Sequence, residues 1–134
     1  MDRAAYITAR RHSRRIAVTA SVNHVAFNTA IPVGSVVTIE AQISRTFKTS
    51  MEIFIDVYIE DRISGIRTKA NEAIYTFVAV DDTLKPVEVS PIQPETEIEK
   101  QRYDAALRRR QLSLVLAGKM KPSEANELKA LFED

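Results

Sequence analysis

The first fifty residues hold most of the side chains whose types suggest chemistry. Asp2 stands at the start of an alanine-rich stretch, and Arg10, Arg11, Arg14 and Arg15 follow near its end. A carboxylate can act as a general base when burial raises its pKa. At the start of a helix it can equally be a solvated charge that the helix dipole favours. The arginines suit the phosphate groups of a small ligand, and they also suit the negative end of the helix dipole.

Histidines and serines offer weaker candidates for a catalytic or metal site. His12 and His24 have no second ligand at helical spacing, so packing or a hydrogen bond is favoured over metal binding or catalysis. The serines have no evident His–Asp companions, which argues against a serine hydrolase. The serines considered are Ser13, Ser21 and Ser50.

Glu72 lies among the apolar residues of a predicted strand. A carboxylate that is removed from water needs a partner. We therefore expect an ion pair with Arg67 or Lys69, or with a group across a subunit interface, rather than a catalytic role.

The bulk composition indicates one domain with an appendage. The chain has 134 residues, of which 45% are hydrophobic and 28% are charged. It has no cysteine, which excludes disulfides and thiolate metal sites, favours a cytoplasmic location, and leads us to expect no metal. Its apolar runs are shorter than a membrane span requires, and its first residues lack the apolar core of a secretion signal. No membrane partner is predicted.

The charge distribution favours a small ligand over a nucleic acid. The net charge is only +1, yet the first fifty residues contain seven of the 19 Lys and Arg side chains and only two of the 18 acidic ones. The arginines are not interleaved with aromatic residues, as they are in many single-strand-binding proteins. We therefore expect a phosphorylated small molecule to bind here, or the arginines simply to be solvated.

Hydrophobic periodicity predicts one helix followed by four strands. Ala5 and Ala9 recur at helical spacing within residues 3–12, and small side chains let a helix lie close to what covers it. Four β-branched or alternating segments follow, joined by short connections. The strand 35–47 has Val37 and Ile39 on its apolar face, and the next strand, 51–61, has Glu52 on its polar face together with Asp56. The fourth covers 67–80. This pattern predicts an α+β fold in which an antiparallel sheet wraps around the helix.

The sequence changes character after Val80. Three prolines between 81 and 95 predict an extended linker that follows the domain surface. Thr96 and Glu99 have the spacing of a capping box, and Gly118 marks the end of the helix that they begin. A second short helix is predicted over 123–132. The predicted organisation is a domain at 1–80, a linker at 81–95 and a C-terminal helical extension at 96–134.

Six segments together resemble the acyl-CoA thioesterases of the hotdog fold, in order and in spacing. Among them are "MDRAAYITARRHS", "KTSMEIFIDVYIED" and "NEAIYTFVAVD", and the resemblance covers about residues 1 to 110. It implies a hotdog fold and the hydrolysis of a fatty acyl-CoA to free acid and CoA. It implies no separate cofactor, since CoA is part of both substrate and product.

The resemblance also assigns residues to roles. It implies that Asp2 activates a water molecule or attacks the thioester carbonyl. It implies that Thr49 and Ser50, in the "TSM" motif, approach the CoA moiety, and more loosely that Lys48 contacts its phosphates. Arg14 and Arg15 are the further phosphate partners that it suggests.

The sequence departs from the family pattern in what precedes Asp2. In the family, a first strand and a Gly-Gly turn precede "MD", and N–H groups near that turn polarise the thioester oxygen. Neither feature precedes Asp2 here. We favour a shortened form of an active enzyme over a family member that has lost half its site. A non-catalytic acyl-CoA-binding or regulatory module is the alternative.

An open sheet edge and the resemblance together predict assembly. Exposed edges of sheets are usually covered or paired, and hotdog domains join two sheets side by side about a two-fold axis. We expect a homo-oligomer, either this dimer or a trimer of such dimers, with the active groove between subunits.

Overall fold

The structure is a computed structural model that describes residues 1–27 and 30–125. The side chains of Asp2, of residues 23–27 and of Pro122 are outside this description. The chain divides into two compact units, Met1–Ile92 and Gln93–Asp134. The first unit contains helix α1 and four strands, which are α1 (Asp2–Ser13), β1 (Ile16–Phe27), β2 (Val36–Thr46), β3 (Ser50–Glu60) and β4 (Arg67–Val80).

The four strands form one antiparallel sheet in the order β1-β4-β3-β2. The turn from β3 to β4 is stabilised by Asp61, whose carboxylate accepts hydrogen bonds from the N–H groups of Ile63 and Ser64. These bonds hold the pKa of the Asp61 carboxyl below its usual value. Gly65 then adopts a φ of 70°, which glycine reaches without steric cost. The predicted antiparallel sheet is confirmed.

Helix α1 packs against one face of this sheet through its alanines. Ala5 and Ala9 are fully buried in a cluster with Met51, Ile53 and Phe77. The Tyr6 and Phe77 rings lie 6.3 Å apart between centroids, an ordinary distance for an aromatic pair. Alanine leaves room for this close approach because it carries only a methyl group. The α+β architecture of a sheet packed around a helix is therefore as predicted.

The burial expected from alternation is wrong on both faces of the sheet. Glu52 and Asp56 are only 3% and 4% exposed, whereas Val37 and Ile39 are 43% and 44% exposed. Glu52 is satisfied in part by Ser44, whose hydroxyl lies 2.6 Å from its carboxylate. Asp56 pairs with the ammonium of Lys69 in β4. The two aliphatic residues remain exposed because they lie in an edge strand, on a part of the sheet that α1 does not cover.

The segment after β4 runs along the sheet rather than away from it. The Val87 N–H donates to the Ala79 carbonyl (2.9 Å), and the Val89 N–H donates to the Lys48 carbonyl (2.9 Å). The Ile92 N–H donates to the Thr46 hydroxyl at 3.3 Å. Val89 is buried in the same cluster as α1. Residues 81–92, within the stretch expected to be a proline-rich linker, thus complete the first compact unit.

The second unit begins with helix α2 (Glu97–Leu116). Thr96 is its N-cap, and the Thr96 hydroxyl accepts a hydrogen bond from the Glu99 N–H, as the capping spacing predicts. The Glu99 carboxylate accepts from the Glu95 N–H instead of that of Thr96, so the reciprocal bond is displaced by one residue. Gly118 follows the helix with a φ of 73°. A short 3₁₀ turn spans Pro122–Glu124, and most of the second predicted helix (126–132) lies outside the described residues.

Candidate functional site

The turn between β2 and β3 contains three of the predicted site residues, Lys48, Thr49 and Ser50. It is closed by a hydrogen bond from the Phe47 N–H to the Ser50 carbonyl (2.8 Å). The Thr49 carbonyl accepts from the Ala79 N–H at 3.0 Å, which holds the turn beside the end of β4. The Lys48 side chain is exposed, that of Thr49 is half-buried, and that of Ser50 is buried. The turn therefore presents one exposed cation on a hydrogen-bonded backbone.

The Ser50 hydroxyl is a buried polar group with no hydrogen-bond partner within the described part of the chain. Most buried hydroxyls are paired, because leaving one unpaired costs about 1–3 kcal/mol. This is one of the positions that the family resemblance assigns to the CoA moiety, so the hydroxyl is a group that a ligand or a neighbouring subunit can satisfy.

Arg14 and Arg15 directly follow α1 and lie at the same end of the sheet as the turn between β2 and β3. Arg14 takes a left-handed conformation with a φ of 56°, and its N–H donates to the Arg10 carbonyl (2.8 Å). This terminates the helix and turns the chain into β1, whose first residue, Ile16, pairs with Val80. Both arginines are exposed. Because Val80 follows Ala79, whose N–H binds the Thr49 carbonyl, the structure brings the arginines and the 47–49 turn to one end of the sheet.

His12 strengthens this arrangement without an evident catalytic role. Its Nε2 lies 2.7 Å from the Ser90 carbonyl oxygen. A carbonyl can only accept, so Nε2 donates. Since the Val89 N–H binds the Lys48 carbonyl, the end of α1, the 89–90 segment and the turn are tied together. His12 is thus explained by a hydrogen bond, the alternative that the sequence favoured.

Asp2 lies at the opposite end of α1. Arg14 is twelve positions later in the chain, which at 1.5 Å per residue places the two about 18 Å apart along the helix axis. Met1 occupies the N-cap position and makes no side-chain hydrogen bond to the first turn. The first N–H groups of any α-helix have no partner within the helix and carry partial positive charge. The backbone at Asp2 therefore offers donors to a developing negative charge, while its side chain is outside the description.

The remaining sequence candidates have structural explanations or lie outside the described side chains. The Ser13 hydroxyl accepts from the Arg15 N–H (3.2 Å) within the turn after α1. Ser21 is half-buried in β1, and the side chain of His24 is not described. Glu72 lies 3.3 Å from the Lys69 ammonium, so the predicted ion pair is present.

Lys69 is shared by two carboxylates on the face of the sheet opposite α1. Its ammonium lies 2.8 Å from Asp56, a group that the sequence did not single out. Burial alone would lower the pKa of Lys69, but hydrogen bonds and charge from Asp56 and Glu72 outweigh it, and the pKa is raised above its usual value. Nearby, the Arg67 guanidinium binds Glu40 and stacks on the Tyr58 ring, 3.9 Å from its centroid. This network explains Glu72 as a structural residue.

The described ranges contain neither a metal-binding cluster nor a membrane-spanning helix. No group of three or more His, Asp and Glu side chains among residues 1–27 and 30–125 is arranged to hold a metal ion. In the same ranges, no helix is both long enough and apolar enough to cross a bilayer.

Known proteins match the chain at the level of sequence and of fold. Residues 1–66 match the model of the thioesterase superfamily. Acetyl-coenzyme A thioesterase of Mus musculus is 35% identical over 114 residues, which are 85% of this chain and 20% of that protein. A crystal structure of an apo hexameric acyl-CoA thioesterase matches with a TM-score of 0.82 at 35% identity, over 87% of this chain and 74% of that chain.

A second structural relative was solved with ligands. The acyl-CoA hydrolase of Staphylococcus aureus, in complex with butyryl coenzyme A, coenzyme A and coenzyme A disulfide, gives a TM-score of 0.80 at 30% identity. The match covers 98% of this chain and 78% of that one. A helix held against an antiparallel sheet, with these neighbours, defines the hotdog class of α+β proteins. The chain belongs to the acyl-CoA thioesterase family of the thioesterase superfamily. It spans only a fifth of the length of the mouse relative.

Proposed function

We propose that the chain hydrolyses fatty acyl-CoA thioesters to free acid and CoA, with Asp2 as general base or nucleophile. Family membership carries the proposal, and Asp2 lies on α1 at the position that the resemblance assigns to the catalytic aspartate. A thioester needs a positioned base or nucleophile and a donor to the oxygen that becomes negative. Asp2 supplies the first, and the resemblance places the second at N–H groups near the turn that precedes "MD" in the family. No metal or separate cofactor enters this chemistry.

The two ends of α1 contact different parts of the substrate in this proposal. In the proposed complex the CoA phosphates lie near Lys48, Arg14 and Arg15, and the Ser50 and Thr49 hydroxyls bind polar atoms of the CoA moiety. The pantetheine arm spans the distance to Asp2. Because these cations are exposed, salt screens them, and we expect the Michaelis constant for acyl-CoA to rise with ionic strength.

Asp2→Asn tests the catalytic assignment. The substitution keeps the size of the side chain and removes its basic lone pair, so we expect kcat to fall by about 10²- to 10⁴-fold while CoA binding is kept. Release of free CoA measures turnover, and calorimetric titration measures binding. Asp82→Asn, in the exposed turn after β4, is the control. Unchanged turnover in Asp2→Asn would contradict the assignment, and CoA binding without turnover in wild type would favour the non-catalytic module.

Charge reversal tests the phosphate site. Lys48→Glu combined with Arg14→Glu should raise the Michaelis constant and weaken its dependence on salt, because two of the screened contacts are gone. Arg62→Glu is the matched control, since Arg62 is exposed in the β3–β4 turn at the other end of the sheet. Equal Michaelis constants in the double variant and in the control would remove Lys48 and Arg14 from the site.

We further propose that the protein is a homo-oligomer that pairs through β1, as a two-fold dimer or a trimer of dimers. Both β1 and β2 are edges of the sheet. β1 contains no Asp, Glu, Lys or Arg, the side chains that commonly protect an edge, whereas β2 contains Glu40 and Arg45. Ile16, Val18 and Val22 are also exposed along β1. Light scattering at micromolar concentration tests the assembly, and a monomer would contradict it.

A further inference from the structure

Helix α1 presents a row of exposed side chains on the side that faces away from the sheet. Successive residues of an α-helix are rotated by about 100°, so this row occupies an arc of about 100° on the helix surface. The buried alanines Ala5 and Ala9 lie on the opposite side. Three members of the row are arginines, and the fourth is an isoleucine that is 43% exposed. We name this row the basic stripe, and its residues are Arg3, Ile7, Arg10 and Arg11.

The arginines of the basic stripe have no structural explanation within the described part of the fold. Residues 3–15 contain no Asp or Glu. Among the side chains that the structure describes, no carboxylate forms an ion pair with the stripe, whereas Arg67 and Lys69 both bind carboxylates. The helix dipole favours Arg10 and Arg11 in the last turn, but it disfavours Arg3 in the first turn. The stripe is therefore a cationic surface that the dipole explains only in part.

The shape and chemistry of the stripe fit a lipid surface that contains anionic headgroups. From Arg3 to Arg11 the stripe extends about 12 Å along a straight helix, so a plane can contact all of it at once. Arginines bind headgroup phosphates, and Ile7, which lies between them, can enter the boundary with the acyl chains. The stripe contains no aromatic side chain on which the bases of a single-stranded nucleic acid could stack. A second copy that packed stripe on stripe would place arginines against arginines.

We propose that the basic stripe docks the protein on the surface of a bilayer that contains anionic lipids. The sequence led us to expect no membrane partner because it has no spanning segment, but a peripheral contact does not require one. The stripe faces away from the sheet, so a strand added at either edge extends the sheet without covering the stripe. Each arginine close to an anionic bilayer strengthens binding roughly fivefold. Docking does not depend on the proposed hydrolysis.

Two triple variants with the same loss of charge test the arginines. The stripe variant combines Arg3→Gln, Arg10→Gln and Arg11→Gln. Its matched control removes three cations at exposed positions outside α1, by Arg62→Gln, Lys119→Gln and Lys121→Gln. Co-sedimentation measures binding to vesicles of phosphatidylcholine that contain about a quarter phosphatidylserine. The stripe variant should bind about a hundredfold more weakly than wild type, whereas the control should keep most of its binding.

A single tryptophan tests independently where the protein touches the vesicle, since the chain contains none. On anionic vesicles, the emission of Ile7→Trp should shift to shorter wavelength and be quenched by brominated lipid, because tryptophan is favoured at the membrane interface. Ile63→Trp is the control, at a position that is 98% exposed in the β3–β4 turn, and its emission should not change. An unchanged emission of Ile7→Trp on vesicles that bind the protein would overturn the proposal.

The remaining outcomes also decide against a lipid surface. Equal losses in the two triple variants would attribute binding to net charge. Failure of wild type to bind the anionic vesicles would overturn docking, and retention of that protein on poly-glutamate would then assign the stripe to an acidic protein. A different molar mass for the stripe variant in light scattering would show that a second copy covers the stripe. None of these measurements uses turnover, so their failure is distinct from failure of the proposed function.

Discussion

The close packing of α1 on the sheet predicts a specific cost for enlarging Ala5. Ala5 is fully buried, and the buried cluster around it contains Met51, Ile53 and Phe77. Ala5→Leu adds three carbon atoms where the helix approaches the strands. Inserting such volume into a packed core typically costs about 1–3 kcal/mol. Leucine is nearly as good a helix former as alanine, so this cost comes from packing and not from helix propensity.

Ala4→Leu is the matched control for this prediction. Ala4 is on the same helix and half-buried, so the same three carbons can reach solvent. Urea unfolding at one fixed protein concentration should give a lower midpoint for Ala5→Leu with an unchanged slope, and a smaller change for Ala4→Leu. Displacement of α1 also moves Asp2, so turnover of Ala5→Leu should fall in the folded protein. Equal midpoints for the two variants would refute the interpretation that small side chains set the helix-to-sheet distance.

Three further substitutions have expected outcomes. Phe77→Ala leaves a cavity beneath Tyr6 and should lower the free energy of unfolding by about 3–5 kcal/mol in urea titration. Lys69→Met leaves Asp56 without its cation and should cost about 1–3 kcal/mol, at the low end because Lys69 is partly exposed. The folded pKa of Lys69 is raised, so this cost should be constant from neutral pH up to the ordinary lysine pKa of 10.5 and shrink only above it. Thr96→Ala removes the cap of α2 and should cost about 1 kcal/mol, detected as faster amide exchange in its first turn.

The positions of the helix and strands were predictable because the signals are local. The β4 prediction of 67–80 matches the strand that the structure contains, and α1 differs from its prediction by one residue at each end. Turn residues bound each strand, and β-branched residues fill it. The buried stripe of Ala5 and Ala9 followed from helical spacing alone.

The burial of Glu52 and Asp56 was not predictable because it depends on cross-strand register. A bulge between Ile43 and Arg45 brings Ser44 against Glu52. A second irregularity, between Val57 and Tyr58, pairs Tyr58 with Lys69, the lysine that binds Asp56. Bulges insert single residues that a periodicity of two cannot reveal. Alternation therefore predicted the strands correctly, but it did not predict which of their side chains are exposed to solvent.

Part of the candidate site could be predicted from the sequence. Sequence alone placed cations after the helix and in the β2–β3 turn, but it did not show that they lie at the same end of the sheet. They do so because β1 begins opposite the end of β4, and the 47–49 turn lies beside that same end. The distance from these cations to Asp2 follows from the length of α1, which the sequence did predict.

That distance constrains the kind of ligand that can use both ends of α1. A compact phosphate ester would contact the cations at Arg14 and Lys48 and leave Asp2 about 18 Å away with nothing to act on. A simple fatty ester would reach Asp2 without using the cations. Only an extended molecule, anionic at one end and reactive some distance from it, uses the whole face. A CoA thioester has this form, and under the proposed function remote phosphate binding then holds the carbonyl in place for attack, which is how binding energy far from a reacting bond can raise the rate.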